Sequence, residues 1–158
     1  MQELSPLEWA VRPMRRYADF RGRATRAEYW WFSLFTSVLS FFLTLSGPAL
    51  NLGDVLGTIY NFALLVPSLA VAVRRLHDTN RGSGWLVALV ACVVIASSIA
   101  LLVPGGDAVR LALFTIAGLL ILAPVVTFFV FMVLPGTDGP NHYGPDPYAP
   151  DPLEEVFA

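Results

Sequence analysis

Residues 55–73 read VLGTIYNFALLVPSLAVAV, nineteen positions without a charge or a histidine, and the chain then passes at once into Arg74, Arg75, Leu76, His77 and Asp78. As an α-helix rising about 1.5 Å per residue, such a run nearly matches the roughly 30 Å hydrocarbon core of a bilayer. Three further runs, Tyr29–Leu45, Trp85–Val103 and Leu111–Leu134, hold 17, 19 and 24 residues and likewise contain no Asp, Glu, Lys, Arg or His. The first is short and needs Glu28 and its neighbours to make up the length. Lipid offers no hydrogen bonds to a bare backbone, so each run must satisfy its own amides as a helix. The expected fold is an all-α integral membrane protein with four transmembrane helices.

The composition agrees: 158 residues that are 56% hydrophobic and 14% charged, with a mean hydropathy of +0.62, exclude an ordinary soluble domain. The opening Met1-Gln2-Glu3-Leu4-Ser5-Pro6 and the long arginine-rich lead do not resemble a cleaved signal peptide, and entry by the first helix is expected. Cys92 stands alone inside the third run and reads as a small buried hydrophobe.

The chain has no lysine, and nine of its ten arginines fall in two stretches. Arg12, Arg15, Arg16, Arg21, Arg23 and Arg26 precede the first run; Arg74, Arg75 and Arg81 separate the second from the third; Arg110 lies elsewhere. The positive-inside rule places both stretches in the cytoplasm, and an even number of spans returns the C-terminus to the same side. The chain therefore divides into a cytoplasmic or interfacial arginine-rich segment (1–28), a four-helix transmembrane domain (29–134) and a Pro/Gly-rich acidic cytoplasmic tail (135–158).

Ser5-Pro6-Leu7-Glu8 and Thr25-Arg26-Ala27-Glu28 both carry capping-box spacing. The first, with proline at N1, predicts a short interfacial helix whose apolar mass comes from Trp9, Met14, Tyr17 and Phe20. The second predicts the start of the first span. Asp54, Gly82 or Ser83, and Asp107 are the expected caps of the other three. Tyr29-Trp30-Trp31-Phe32 and Trp85 belong at the membrane–water boundary.

No ionisable group occurs near midplane, where an uncompensated charge costs about 3 kcal/mol or more and marks proton or ion pathways. The polar features there are Tyr60, Asn61, Ser97 and Ser98, with Pro67 and Pro124 expected to kink their helices. Asn61 reads as packing glue worth about 1 kcal/mol. Gly53 and Gly57 have small-xxx-small spacing at the outer end of the second span.

The densest chemistry is the loop Arg74-Arg75-Leu76-His77-Asp78-Thr79-Asn80-Arg81-Gly82-Ser83-Gly84-Trp85. Arg74 can pair with His77 or Asp78 at i+3 or i+4, or Asp78 can accept amides of its own turn, and either makes a structural staple. Alternatively the guanidinium forks of Arg74, Arg75 and Arg81 converge with Arg23 and Arg26 on a phosphate, lipid headgroups being the nearest supply. His77, Asp78, His142 and Asp146 include metal-ligand types, but two histidines 65 residues apart give no ligand spacing, and no metal or cofactor is expected. Ser83 and His77 share the loop without the context of a nucleophile. The tail is too rich in proline and glycine for regular structure, yet its acids and Tyr143 lie on the arginine side, so docking of Asn141–Asp146 against Arg74–Arg81 is expected.

Three segments together resemble the YhaH/YhaI-like family of small bacterial inner-membrane proteins. Its Gly-Arg-x-x-Arg-x-Glu pattern falls on Gly22, Arg23, Arg26 and Glu28, its Arg-Arg-Leu-His-Asp core on Arg74–Asp78, and its Gly-x-Asn-x-Tyr-Gly tail on Gly139, Asn141, Tyr143 and Gly144. Gly82 is an insertion relative to the family's usual Arg-Ser-Gly-Trp, and Leu86 stands where a second aromatic is frequent. The resemblance implies a polytopic protein of the bacterial inner membrane and carries no assigned activity.

The expected function is non-catalytic: a cytoplasmic polar cap of Arg23, Arg26, Glu28, Arg74, Arg75, His77, Asp78, Arg81, Asn141 and Tyr143 that binds anionic phospholipid headgroups or a protein partner. The alternatives are a small oligomeric transporter or channel with a polar seam around Asn61, and an enzyme acting on a lipid phosphate through His77 and Asp78. A homo-oligomer or membrane-protein partner fits this picture; a nucleic acid does not.

Overall fold

The computed structural model describes residues 4–46, 55–102 and 106–149. Five helices lie within them: α1 (Pro6–Arg15), α2 (Arg26–Ser46), α3 (Val55–Asp78), α4 (Gly84–Leu102) and α5 (Asp107–Val133). Among the described residues the single β element is a bridge between Asn141 and Gly144. The expected Asp54 cap, the Gly53 spacing and the acids Asp151, Glu154 and Glu155 fall outside the described residues.

Local chemistry sets the helix ends. The Ser5 hydroxyl accepts the Glu8 amide at 3.3 Å while Glu8 Oε2 accepts the Ser5 amide at 2.7 Å, completing the first capping box. Only half of the second box forms: Thr25 Oγ1 accepts the Glu28 amide at 3.1 Å, but the Glu28 carboxylate turns away from the cap to meet Arg74. A buried carboxylate gains more from a cation than from an amide. Gly84 opens α4, with the Ser83 carbonyl accepting from Leu86 and Val87. Asp107 does not cap α5; Gly106 holds the N-cap without a side-chain bond, and Asp107 sits in the first turn, where its charge still faces the positive end of the helix dipole.

Helices α2, α3 and α5 have 21, 24 and 27 residues and are long and apolar enough to cross a membrane. Helix α4, with 19 residues, rises about 28 Å, close to the roughly 30 Å slab. Their outward faces are apolar, with Phe41, Phe42, Phe62, Leu101, Leu111 and Leu119 among many exposed large side chains, a surface that lipid tolerates and water does not.

The chain forms two compact units, Met1–Asn80 with Pro135–Ala158, and Arg81–Leu134. In the first, α1 runs antiparallel beside α2, with Pro6, Leu7 and Ala10 facing Trp31, Leu34, Phe35 and Val38 across an apolar crevice. Helices α2 and α3 are antiparallel, tied by Tyr60, whose hydroxyl donates to the Thr36 carbonyl at 2.7 Å. Ala24, Phe32 and Val71 form a small core that Tyr29 flanks.

Pro67 lies inside α3 and has no amide to donate, which frees the carbonyl four residues earlier, at Ala63. The Tyr17 hydroxyl donates to that carbonyl. In the second unit, α4 packs on α5 with Trp85 edge-on to Phe131 at 5.1 Å, and the Arg81 guanidinium lies over the same Phe131 ring at 4.1 Å.

Candidate functional site: a buried polar knot at the end of α3

Helix α3 continues five residues past its apolar run, and all five, Arg74, Arg75, Leu76, His77 and Asp78, are buried. Arg23, Thr25, Glu28 and Thr79 are buried with them. Ionised groups survive desolvation only when paired and hydrogen-bonded, and the pairing here is specific.

Asp78, fully buried, bridges two arginines. Arg23 Nε donates to Oδ1 at 2.9 Å, and Arg75 Nη1 donates to Oδ2. The rest of the Arg23 fork donates to tail carbonyls, Nη1 to Gly139 at 2.6 Å and Nη2 to Thr137 at 2.5 Å. Arg74 does not pair with His77 or Asp78, as the i+3 and i+4 spacing suggests; it faces α2, with Nη1 2.8 Å from Glu28 Oε1. That approach is a close ion pair, and Arg74 Nε and Nη2 have no hydrogen-bond acceptor among the described residues. Arg12, half-exposed, stands 3.8 Å from the other Glu28 oxygen.

The tail supplies what the end of α3 lacks. The final turn of a helix leaves carbonyls without intrahelical donors, and here they are met one by one. Leu76 accepts the Thr79 amide and hydroxyl, and His77 accepts the Asn80 amide and Asn141 Nδ2 at 2.9 Å. Asp78 accepts the Thr137 amide at 2.9 Å and its hydroxyl at 3.1 Å. Asn80 makes the sharp exit, at φ 57°. Gly136 lies so close to Asp78 that an added Cβ would stand 2.7 Å from the carboxylate carbon and 2.8 Å from Oδ1.

His77 Nδ1 is 3.2 Å from the Gly22 carbonyl, which can only accept, so Nδ1 carries the proton. The imidazole stacks on Tyr143, with ring centroids 3.9 Å apart and planes within 4°. Tyr143 therefore covers the face of His77. The tail turn is held by Asp146, whose carboxylate accepts the Tyr148 and Gly139 amides at 2.9 and 3.0 Å. Those bonds, the Tyr148 amide foremost, with Arg23 nearby, keep the Asp146 carboxyl below its ordinary pKa. Asp19 is lowered in the same way by the Arg16 fork and the Arg21 amide.

Of the ten residues expected in the cap, eight meet: Arg23, Glu28, Arg74, Arg75, His77, Asp78, Asn141 and Tyr143. Arg26 is exposed at the start of α2, and Arg81 belongs to the other compact unit. Thr137, Gly136 and Tyr17 were missed by sequence reasoning. A proline within a span does signal that the fourth residue before it needs a donor, but nothing local names Tyr17. No group of three or more His, Cys, Asp or Glu that could hold a metal occurs among the described residues.

Apolar helices long enough to span a bilayer, joined to a short N-terminal helix and a charged knot at one end, define a polytopic all-α membrane protein. The family model "Protein of unknown function (DUF805)" matches residues 17–145, and the chain belongs to that family. Relatives include Inner membrane protein YhaH of Escherichia coli (strain K12), 39% identical over 84 residues that cover 50% of this chain and 69% of the relative. Inner membrane protein YhaI of the same strain is 36% identical over 80 residues, covering 50% and 68%. Uncharacterized protein YiiR is 34% identical over 90 residues, covering 55% and 60%. No solved structure matches the chain. The protein is thus a multi-pass protein of the bacterial inner membrane, in contact with lipid along its spans.

Proposed function

We propose that the protein is a non-catalytic inner-membrane protein whose arginine-rich face, at the cytoplasmic end of α2 and α3, binds anionic phospholipid headgroups. Both termini lie in the cytoplasm in this reading, following the arginines. The observation that carries it is the division of labour among the arginines. Arg23, Arg74 and Arg75 are buried and spent on Asp78, Glu28 and tail carbonyls, while Arg15, Arg21 and Arg26 are exposed.

The buried set fixes the ends of α2, α3 and the tail, and the exposed set leaves charge free, with Arg26 opening the helix whose Trp30 and Trp31 are exposed and suited to the headgroup level. Each such arginine near an anionic leaflet is worth about 1 kcal/mol. Native mass spectrometry of the gently extracted protein tests the reading. Retained anionic phospholipid should fall in Arg15→Gln/Arg21→Gln/Arg26→Gln, with the fold intact. Equal retention in wild type and this triple variant would sink it.

A further inference from the structure

Helices α2 and α3 leave a cleft of about 610 Å³ between them, and its lining is unlike the rest of the membrane-facing surface. Thr36, Ser37, Ser40 and Thr44 come from α2, and Tyr60, Asn61 and Ser68 from α3. Much of this polarity is already satisfied within the pair. Thr36 Oγ1 donates to Phe32 O at 2.9 Å, Thr44 Oγ1 to Ser40 O at 3.0 Å, and the Tyr60 hydroxyl to Thr36 O. The Ser37, Ser40 and Ser68 hydroxyls can each turn back to a carbonyl of their own helix, but the larger Asn61 amide, with donors and an acceptor to satisfy, cannot be met that way. Asn61 is exposed and makes no hydrogen bond with the described residues, although it lies in the membrane-spanning part of α3.

A primary amide facing hydrocarbon costs several kcal/mol until it finds a partner. We propose that its partner is Asn61 of a second copy of this chain, the two molecules packing through the α2–α3 cleft about a two-fold axis. Chemical complementarity selects this occupant. Asn61 is the single side-chain amide in α2, α3, α4 and α5, and an amide is both donor and acceptor, so two of them related by a two-fold satisfy each other reciprocally. The alternative occupant, the chain's own α4–α5 pair, offers a poorer match: Thr115 and Thr127 spend their hydroxyls on their own helix, at 2.8 and 2.9 Å, Ser97 and Ser98 bring one hydroxyl each, and neither helix carries an amide to answer both the donors and the acceptor of Asn61. The short Ser37 and Ser40 side chains let a facing helix approach closely, which is what helix association in lipid needs when tails are as apolar as leucine.

The test uses the full chain in liposomes on a Cys92→Ser background. Ser40→Cys, within the cleft, should form an intermolecular disulfide under mild oxidation, and Phe62→Cys, outside it, should not. Fluorescence energy transfer between differently labelled copies should show Asn61→Leu weakening association roughly three- to thirty-fold, the span of measured interhelical polar pairs, with Asn61→Gln retaining most of it. Leucine is at home in lipid, so folding survives the change. A monomer at every protein-to-lipid ratio would overturn the proposal, as would a Ser40→Cys disulfide formed with Ser97→Cys of the same molecule.

Discussion

The strongest demand the structure makes is on Asp78. Its carboxylate is fully buried and serves two guanidiniums, Arg23 and Arg75, that are themselves buried. Asp78→Asn keeps the size and one acceptor oxygen but removes the charge. At an effective dielectric of about 20, each pair at roughly 4 Å attracts by about 4 kcal/mol, and mutual repulsion between the arginines takes part of that back. Breaking a buried pair by removing one partner costs about 3–5 kcal/mol, a large share of the roughly 5–15 kcal/mol that holds a domain folded.

The expected outcome is a fall of two to three and a half decades in the folded-to-unfolded ratio, about 1.4 kcal/mol corresponding to each decade, read by titrating sodium dodecyl sulfate into a mild detergent. A companion substitution sharpens the test. Arg23→Met alone also destabilises, but Arg23→Met with Asp78→Asn should cost less than the sum, because the double change leaves one unpaired cation instead of two. Arg12→Gln is the control: half-exposed and 3.8 Å from Glu28, it should cost under about 1 kcal/mol. If Asp78→Asn lies within 1 kcal/mol of the wild type, the arginines do not depend on this carboxylate and the account of the knot is wrong.

Tyr17→Phe leaves the Ala63 carbonyl without its donor and should destabilise by about 1–3 kcal/mol in the same titration. In a Pro67→Ala background residue 67 regains its own amide, so the tyrosine's contribution should nearly vanish; an unchanged cost there would refute the link to the proline. Gly136→Ala drives a methyl into the Asp78 carboxylate and should lower the melting temperature while undocking the tail, visible as faster amide exchange at Thr137. Asp146 has a folded pKa below its unfolded value near 3.9, so its contribution is complete above that pH and is lost as pH falls through the lowered value. Exchange protection of the Gly139 and Tyr148 amides should therefore collapse only below about pH 4, and Asp146→Asn should remove that pH dependence.

The helices were legible because lipid leaves so few choices: a run such as 55–73 has no other way to satisfy its backbone. That the tail lies against the end of α3 was legible, but its means were not: Asp146 turns to the Gly139 and Tyr148 amides of the tail itself, while Asn141 and Thr137 donate to α3 carbonyls and the Arg23 fork donates to tail carbonyls. What the sequence hid were choices among equivalent partners. Asp78 lies within reach of Arg74 by helical spacing, yet takes Arg75 and the distant Arg23, because rotation about the helix sends Arg74 toward α2. Glu28 fits a capping box and abandons it for the same arginine. Spacing along one helix ranks neighbours, but burial lets a partner from another element win, and no local pattern records which way each helix is turned. Tyr17 shows the same limit: the vacancy at Ala63 is written in Pro67, while its occupant depends on how α1 returns along α2.

The placement of the knot follows from what lipid cannot do. Apolar faces in a bilayer gain little by leaving lipid for one another, so α2 and α3 have weak preference for any one register. Sliding one helix by a residue shifts it about 1.5 Å and turns it 100°, which would carry Glu28 off Arg74. It would equally detach Ala24, whose amide donates to the Arg74 carbonyl at 3.0 Å. Buried ion pairs add little net stability over a well-packed apolar contact, but wrongly paired ones are heavily penalised. At the end of α3 that asymmetry sets the register: the three buried arginines find two carboxylates and a set of tail carbonyls in one arrangement, and every neighbouring arrangement strands at least one charge. The exposed arginines around them are left free of that task, which is why the lipid-binding reading rests on Arg15, Arg21 and Arg26 rather than on the residues that hold the knot together.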